Sequence, residues 1–435
     1  MVIVYRILFL PALLLLLPKY LLRMWRRGGY REGFSHRFGI VRDVPARRKA
    51  VRRIWIQAVS VGEILAVIPL LKRLAARDDV EVVLTTTTST GFALARERLP
   101  ELTVWRGIFP LDFAPFTAGM FRRLQPDLTV LMEGELWPEH IHQARRRGIP
   151  VVLINGRLSD RSFRRHYRLR RRTRAWFRHL AAIHAGSATD RERFQALGWL
   201  PADRVRLTGN LKLDVDVEAK LDVESRDQLL ADAGFSGGEA PQILLGSSTW
   251  PGEEKALLQA YARLRESFPQ MRLLLVPRHA ERRGEVRSAV EEAGLPFHFR
   301  SAGTAAAPGN EVYIADTTGE LRRLTELAEV VFIGKSLPPN AGGQTPVEAA
   351  ALGKPLLFGP EMSNFRDIAR RLDKDGAARV VASGEELTHA VRELLQNPEE
   401  RAAMGRRARA FIESSREATA RTEAALMDLL PNRSR

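Results

Sequence analysis

A carboxylate closes the stretch Gln57-Ala58-Val59-Ser60-Val61-Gly62-Glu63, where an apolar run gives way to the amphipathic segment ILAVIPLLKRL. Glu63 has two readings there. An acid in the first turn of a helix complements the positive end of the helix dipole. A carboxylate placed after Gly62, where the backbone can approach a ligand closely, can also serve as a general base. A second acidic site, Met132-Glu133-Gly134-Glu135-Leu136-Trp137-Pro138, ends the run DLTVLM. On an extended segment, residues i and i+2 point the same way. Buried together, Glu133 and Glu135 would raise each other's pKa unless a cation intervened. The structural alternative is that Glu135 caps a helix beginning near Pro138.

The second half carries three further segments: Val276-Pro277-Arg278-His279, Asp316-Thr317-Thr318-Gly319-Glu320-Leu321 and Ala341-Gly342-Gly343-Gln344-Thr345-Pro346-Val347-Glu348. Free N–H groups at a glycine-rich helix start hold a phosphate without a metal, and Arg278 adds a fork of donors. Glu348, one turn in, could accept from both hydroxyls of a ribose. Together the three point to a nucleotide. The pair Asp214 and Asp216 falls in a polar connecting segment and reads as solvated linker charge rather than a metal site. His36, His166, His279 and His298 show no ligand spacing, so no metal and no cofactor are expected.

These groups need elements to hold them. Short apolar runs alternate with amphipathic stretches: VRRIWIQAV (51–59), VEVVLTTTT (80–88), LTVW, DLTVLM, PVVLING and AAIHAGS. The rhythm restarts after about residue 210 with QILLGSS, MRLLLVPRH, EVYIADTT, EVVFIGKS, PLLFGP and ARVVAS. Such alternation predicts α/β architecture, with two doubly wound parallel sheets facing a cleft. The expected division is a membrane anchor over 1–27, one Rossmann-like domain over 28–208, a second over 209–396 and a helical tail over 397–435.

With 435 residues, 45% hydrophobic and 27% charged, the chain can bury more than one core. The absence of cysteine excludes disulfides, zinc–thiolate sites and thiol nucleophiles. A surplus of 68 basic over 51 acidic residues, a net +17, calls for an anionic partner. Val2–Leu22 is about the length of one bilayer crossing, interrupted by Arg6, Pro11 and Pro18. Lys19 near its end and Arg23, Arg26 and Arg27 after it predict an uncleaved anchor or deep interfacial helix with a cytoplasmic flank. Arg161–Arg178 holds nine arginines interleaved with Phe, Tyr and Trp. Beside such an anchor, an anionic membrane surface is favoured over nucleic acid.

In their order along the chain, AVSVGE (58–63), TTTTSTG (85–91), EGELWP (133–138), NGRLSDRS (155–162), GNLKLD (209–214), GEE (252–254), PRHAER (277–282), DTTGEL (316–321), VEAAALGKP (347–355) and GPEMSNF (359–365) resemble the Kdo (3-deoxy-D-manno-oct-2-ulosonic acid) transferases of lipopolysaccharide assembly. The resemblance runs through nearly the whole chain. It implies a GT-B fold and a metal-independent, inverting transfer of Kdo from CMP-Kdo to a lipid A precursor at the cytoplasmic side of the bacterial inner membrane. It implies Glu63 as the base, and Glu133 and Lys212 as transition-state stabilisers. CMP contacts would fall at Pro277, Arg278, Thr318, Gly319, Glu320, Thr345, Pro346, Val347 and Glu348. The chain departs from the family pattern at Gln57 and Trp250, where histidines are usual, at Lys335 in place of a glycine, and at Gln344-Thr345 in place of His-Asn. Two other readings stay open: a transferase or epimerase of this fold using another nucleotide sugar, and an inactive membrane-bound adaptor.

Overall fold

The computed structural model describes residues 2–27, 31–48, 50–214, 221–236 and 238–431. The chain divides into two compact units. Unit 1 comprises Met1–Asp214 and Ser415–Arg435, and unit 2 comprises Val215–Ser414.

Unit 1 is built on seven strands: β1 (Arg52–Gln57), β2 (Val80–Thr86), β3 (Trp105–Ile108), β4 (Leu128–Met132), β5 (Val151–Gly156), β6 (Ala182–Ala185) and β7 (Val205–Leu207). They pair in parallel in the order β3-β2-β1-β4-β5-β6-β7. Side chains alternate across each strand. Ile54, Ile56, Val82, Val130 and Val152 therefore enter one core, whereas Trp55, Val83, Leu131 and Leu153 enter another on the opposite face. The helix Val61–Ala75 lies over the first face and Pro138–Arg146 over the second. Chain order reverses between β1 and β4. A crevice opens at such a switch point beyond the carboxyl ends of the strands, where the loops bearing Glu63 and Glu133 begin.

Unit 2 repeats the plan with β8 (Gln242–Thr249), β9 (Met271–Pro277), β10 (Phe297–Phe299), β11 (Val312–Ile314), β12 (Val330–Ile333), β13 (Leu356–Phe358) and β14 (Ala378–Val380). These strands are again parallel, in the order β10-β11-β9-β8-β12-β13-β14. The switch point falls between β8 and β12.

The C-terminal helices divide between the two units. Pro398–Ser414 belongs to unit 2, but the helix Ala418–Leu429 returns to unit 1, where Ala418, Leu426 and Leu430 join the core of Ile54 and Val130. Asp214, expected as solvated linker charge, is buried in unit 1 and accepts the backbone N–H of Thr419. Its partner Asp216 lies outside the described residues. The N-terminal expectation also needs correction. Val2–Arg27 is a helix with Pro11 and Pro18 inside it, but among the described residues no helix is long and apolar enough to cross a membrane. The apolar run is broken at Arg6, which donates to Glu139 at 2.8 and 2.7 Å. Tyr5 O–H donates to Asp112 at 2.8 Å, and Phe9 stacks on Phe113 with centroids 5.5 Å apart.

Leu426 is fully buried among unit 1 side chains, so Leu426→Ala should lower the unfolding free energy by about 2–5 kcal/mol. Denaturant titration checks this, and an unchanged midpoint would mean that the last helix contributes nothing to that core.

Candidate active site

The helix Val61–Ala75 begins at Ser60, whose side chain accepts the Glu63 N–H at 3.4 Å. Glu63 folds back in return: Oε2 accepts the Val59 N–H at 2.8 Å and Oε1 accepts the Ser60 hydroxyl at 3.2 Å. This reciprocal arrangement is close to a capping box. The structural reading of Glu63 therefore holds, and it also pins the carboxylate at the switch point. Only 8% of Glu63 is exposed. Burial and then the charge of Glu133 push its pKa up to about 7, against the opposing pull of the Val59 and Ser60 bonds and of Lys212. A group poised there near neutral pH suits proton abstraction.

Glu133 does not lie on an extended segment. It has φ +54°, in the left-handed region that a glutamate adopts only under constraint. Its N–H donates to Ile154 C=O at 3.0 Å, and its C=O accepts from Arg157 N–H at 3.2 Å, so β5 holds the turn. Lys212 Nζ meets Glu133 Oε1 at 2.6 Å, and Arg157 approaches the same oxygen at 3.9 Å. Lys212 is itself positioned from two sides. Asn210 Oδ1 accepts the Lys212 N–H at 3.0 Å, and the buried Asn155 accepts the Leu211 N–H at 3.2 Å.

Glu135 is not the helix cap. Asp112 fills that place, accepting the N–H groups of Glu139 and His140 at 2.9 and 2.8 Å. Burial raises the Asp112 pKa to about 6. Burial and the Glu63 charge push Glu135 up to about 7, while the nearby Trp137 indole opposes this. That indole makes no bond of good geometry: both Trp137 Nε1 and Glu135 Oε2 are buried without a hydrogen-bond partner. Glu63, Glu133, Glu135 and Lys212 thus form one electrostatic cluster at the switch point.

In unit 2 the sequence-predicted donor residues occupy loops after β9, β11 and β12. Arg278 is exposed, held through its N–H to Thr249 C=O at 3.1 Å. Thr318 and Gly319 are exposed, and Gly319 takes φ +94°. Glu320 is already engaged by Arg300 at 3.1 Å and by the Thr317 hydroxyl. The Pro346 N-cap of the short helix Val347–Ala351 makes no side-chain bond, although Thr345 Oγ1 accepts the Val347 N–H at 3.3 Å. Glu348 has its pKa raised by burial, opposed by Arg322.

Four departures from the family pattern have structural partners. Gln57 is buried between Thr85 and Thr87, at 2.6 and 3.0 Å. Lys335 sits 4.4 Å above the Trp250 ring, a cation–π contact. Gln344 donates its backbone N–H to Gly334 C=O at 3.0 Å.

A residue that sequence reasoning missed joins the two loops at the second switch point. Buried Glu253 accepts N–H groups from Trp250, Lys335, Ser336 and Leu337, at 2.8, 2.8, 2.8 and 3.1 Å. Its only sequence signal was the GEE motif, an acid in a helix's first turn.

A family model described as 3-deoxy-D-manno-octulosonic-acid transferase (kdotransferase) matches residues 32–215, and one described as glycosyl transferase-like matches 339–427. The 3-deoxy-D-manno-octulosonic acid transferase of Bordetella pertussis is 34% identical over 95% of this chain and 97% of its own length. That of Haemophilus influenzae is 31% identical over 92% and 91%. The chain belongs to the 3-deoxy-D-manno-octulosonic acid transferase family. It is therefore a glycosyltransferase. A solved UDP-GlcNAc 2-epimerase from Neisseria meningitidis, 14% identical, superposes over 87% of this transferase and 99% of its own chain with a TM-score of 0.58. At that identity the likeness shows the fold alone, which is GT-B-like.

The raised pKa of Glu135 has a cost that can be measured. Between its ordinary value of 4.5 and about 7, the folded chain keeps a proton that the unfolded chain has released. Stability therefore falls as pH rises through that window and is lowest above it. Glu135→Gln should raise the unfolding free energy at pH 8 by up to about 3 kcal/mol and have little effect at pH 4. Equal effects at both pH values would show that the carboxyl is not held protonated by burial.

Proposed function

We propose that the transferase moves Kdo from CMP-Kdo to a hydroxyl of a lipid A precursor, with inversion. The observation that carries this reading is the Glu63 carboxylate, pinned by Val59 and Ser60 beside the Glu133–Lys212 pair. Glu63 takes the proton of the acceptor hydroxyl as its oxygen attacks the ketosidic carbon. The bond from that carbon to the phosphate oxygen breaks, and CMP leaves with the electron pair. Positive character on the sugar suits the Glu133 carboxylate, while negative charge on the leaving oxygen suits Lys212 or Arg278.

The nucleotide would lie on unit 2, against Pro277 and Arg278, Thr318–Glu320 and Thr345–Glu348. Gly342 and Gly343, at φ +119° and +71°, shape the loop that enters the last of these segments. Because the acceptor is a lipid, the work would take place at the cytoplasmic face of the bacterial inner membrane. The exposed Ile3, Val4, Ile7 and Leu8 and the net charge of +17 suit that location.

Incubation with CMP-Kdo and tetraacylated lipid A precursor, followed by mass analysis of the lipid, tests the reading. Added Kdo mass is expected, and no transfer by a folded, CMP-binding chain would reject it. Because the base must be ionised, turnover should rise with pH to a plateau above about 7. Glu63→Ala should lower turnover roughly 10²–10⁴-fold and abolish that limb of the profile. Turnover within a few-fold of wild type would exclude Glu63 as the base.

A further inference from the structure

A cavity of about 530 Å³ opens in unit 1 among the helices Val2–Arg27, Pro138–Arg146 and Arg170–Phe177, and none of Glu63, Glu133, Glu135 and Lys212 lines it. Its basic wall comes from two elements, with His142 and Arg145 on one and Arg178 and His179 at the end of the other. Arg145 Nη1 donates to His179 Nε2 at 2.8 Å, and Arg178 Nε reaches the same nitrogen at 3.4 Å. Two guanidinium groups therefore converge on one imidazole, and among the described residues neither has a carboxylate partner. Glu139, the acid whose charge reaches His142, is paired with Arg6 at 2.7 Å. Burial and the surrounding arginines hold both imidazoles below their usual pKa, so the wall already resists further positive charge. An anion between the guanidiniums relieves that repulsion and satisfies their donors.

Two further observations describe the anion's carrier. The Trp176 indole Nε1 is buried at this wall without a hydrogen-bond partner, which leaves one more donor for an oxygen. Ile3 lines the cavity at 69% exposure, and the same helix continues with exposed Ile7, Leu8, Leu14 and Leu15. A charged pocket opening beside an uncovered apolar helix fits a ligand with an anionic head and a hydrocarbon tail.

We propose that this pocket seats the phosphate of an anionic glycerophospholipid, with Arg145 and Arg178 donating to its oxygens and the acyl chains lying against the Val2–Arg27 helix. The inference rests on the membrane location proposed above but not on the transfer chemistry. Vesicle binding is read without donor or acceptor, so its failure and a failure of transfer are distinguishable.

The test is flotation of the full chain with phosphatidylglycerol vesicles and with phosphatidylcholine vesicles. The double variant Arg145→Gln/Arg178→Gln should bind phosphatidylglycerol roughly 30-fold more weakly, with its thermal midpoint and its weak phosphatidylcholine binding unchanged. The control pair Lys72→Gln/Arg98→Gln removes the same charge from helices on the opposite face of the sheet, and should retain most of the affinity. Wild-type affinity in the double variant overturns the proposal. So does an equal loss in the control pair, which would assign the attraction to net charge alone.

Discussion

Keeping several carboxylates ionisable at one end of a parallel sheet is the constraint around which unit 1 is arranged. Water would solvate such groups cheaply, but at a switch point between strands they are partly enclosed, and each raises the energy of the next. The chain answers with fixed partners. Two groups next to the helix start grip Glu63, Lys212 neutralises Glu133, and the left-handed turn at Glu133 is held by backbone bonds to β5. Burial, and after it the repulsion that remains, shows in the raised pKa values of Glu63 and Glu135. That stored cost is what makes a carboxylate basic enough to accept a proton near neutral pH.

Unit 2 meets its own switch point differently. There a single buried glutamate, Glu253, ties the loop after β8 to the loop after β12 through backbone donors only. The neighbouring Glu254 is likewise occupied, by Arg282 at 2.8 Å and Thr249 at 2.8 Å. In unit 1 carboxylates gather on one another at the strand ends, whereas in unit 2 Glu253 and Glu254 are spent on holding loops in place.

Much of this was readable before any coordinates. The apolar runs at 51–59 and 80–88 mark β1 and β2 because a parallel strand buried on both faces sends side chains into a core on each side. The strands β7 and β10 were missed because Arg206 and His298 sit in the middle of them and leave no continuous apolar run. Glu63, Glu133 and Lys212 stood out from the family resemblance, and the structure brings these three together. Local sequence could not tell which acid caps the helix at Pro138, since Asp112 reaches it from a distant loop. Nor could it place Asp214, whose burial depends on a residue 205 positions away. The apolar N-terminus read as an anchor or interfacial helix, and sequence alone could not show that Arg6, which interrupts it, pairs with Glu139 of a distant helix.

The return of the last helix to unit 1 has a consequence for how the molecule is made. Asp214 is held by Thr419, and the carbonyl of Thr208 by Arg421 at 3.0 Å, so the stretch bearing Lys212 is anchored by residues translated 205 and 213 positions later. Domains normally condense in order as they leave the ribosome. Here the first-made sheet must wait, its hydrophobic interior open on one side, until Ala418, Leu426 and Leu430 have been made. Nascent chains of this protein are thus natural clients for chaperones that shield apolar surface, and a premature stop before Ser415 would leave that surface permanently uncovered.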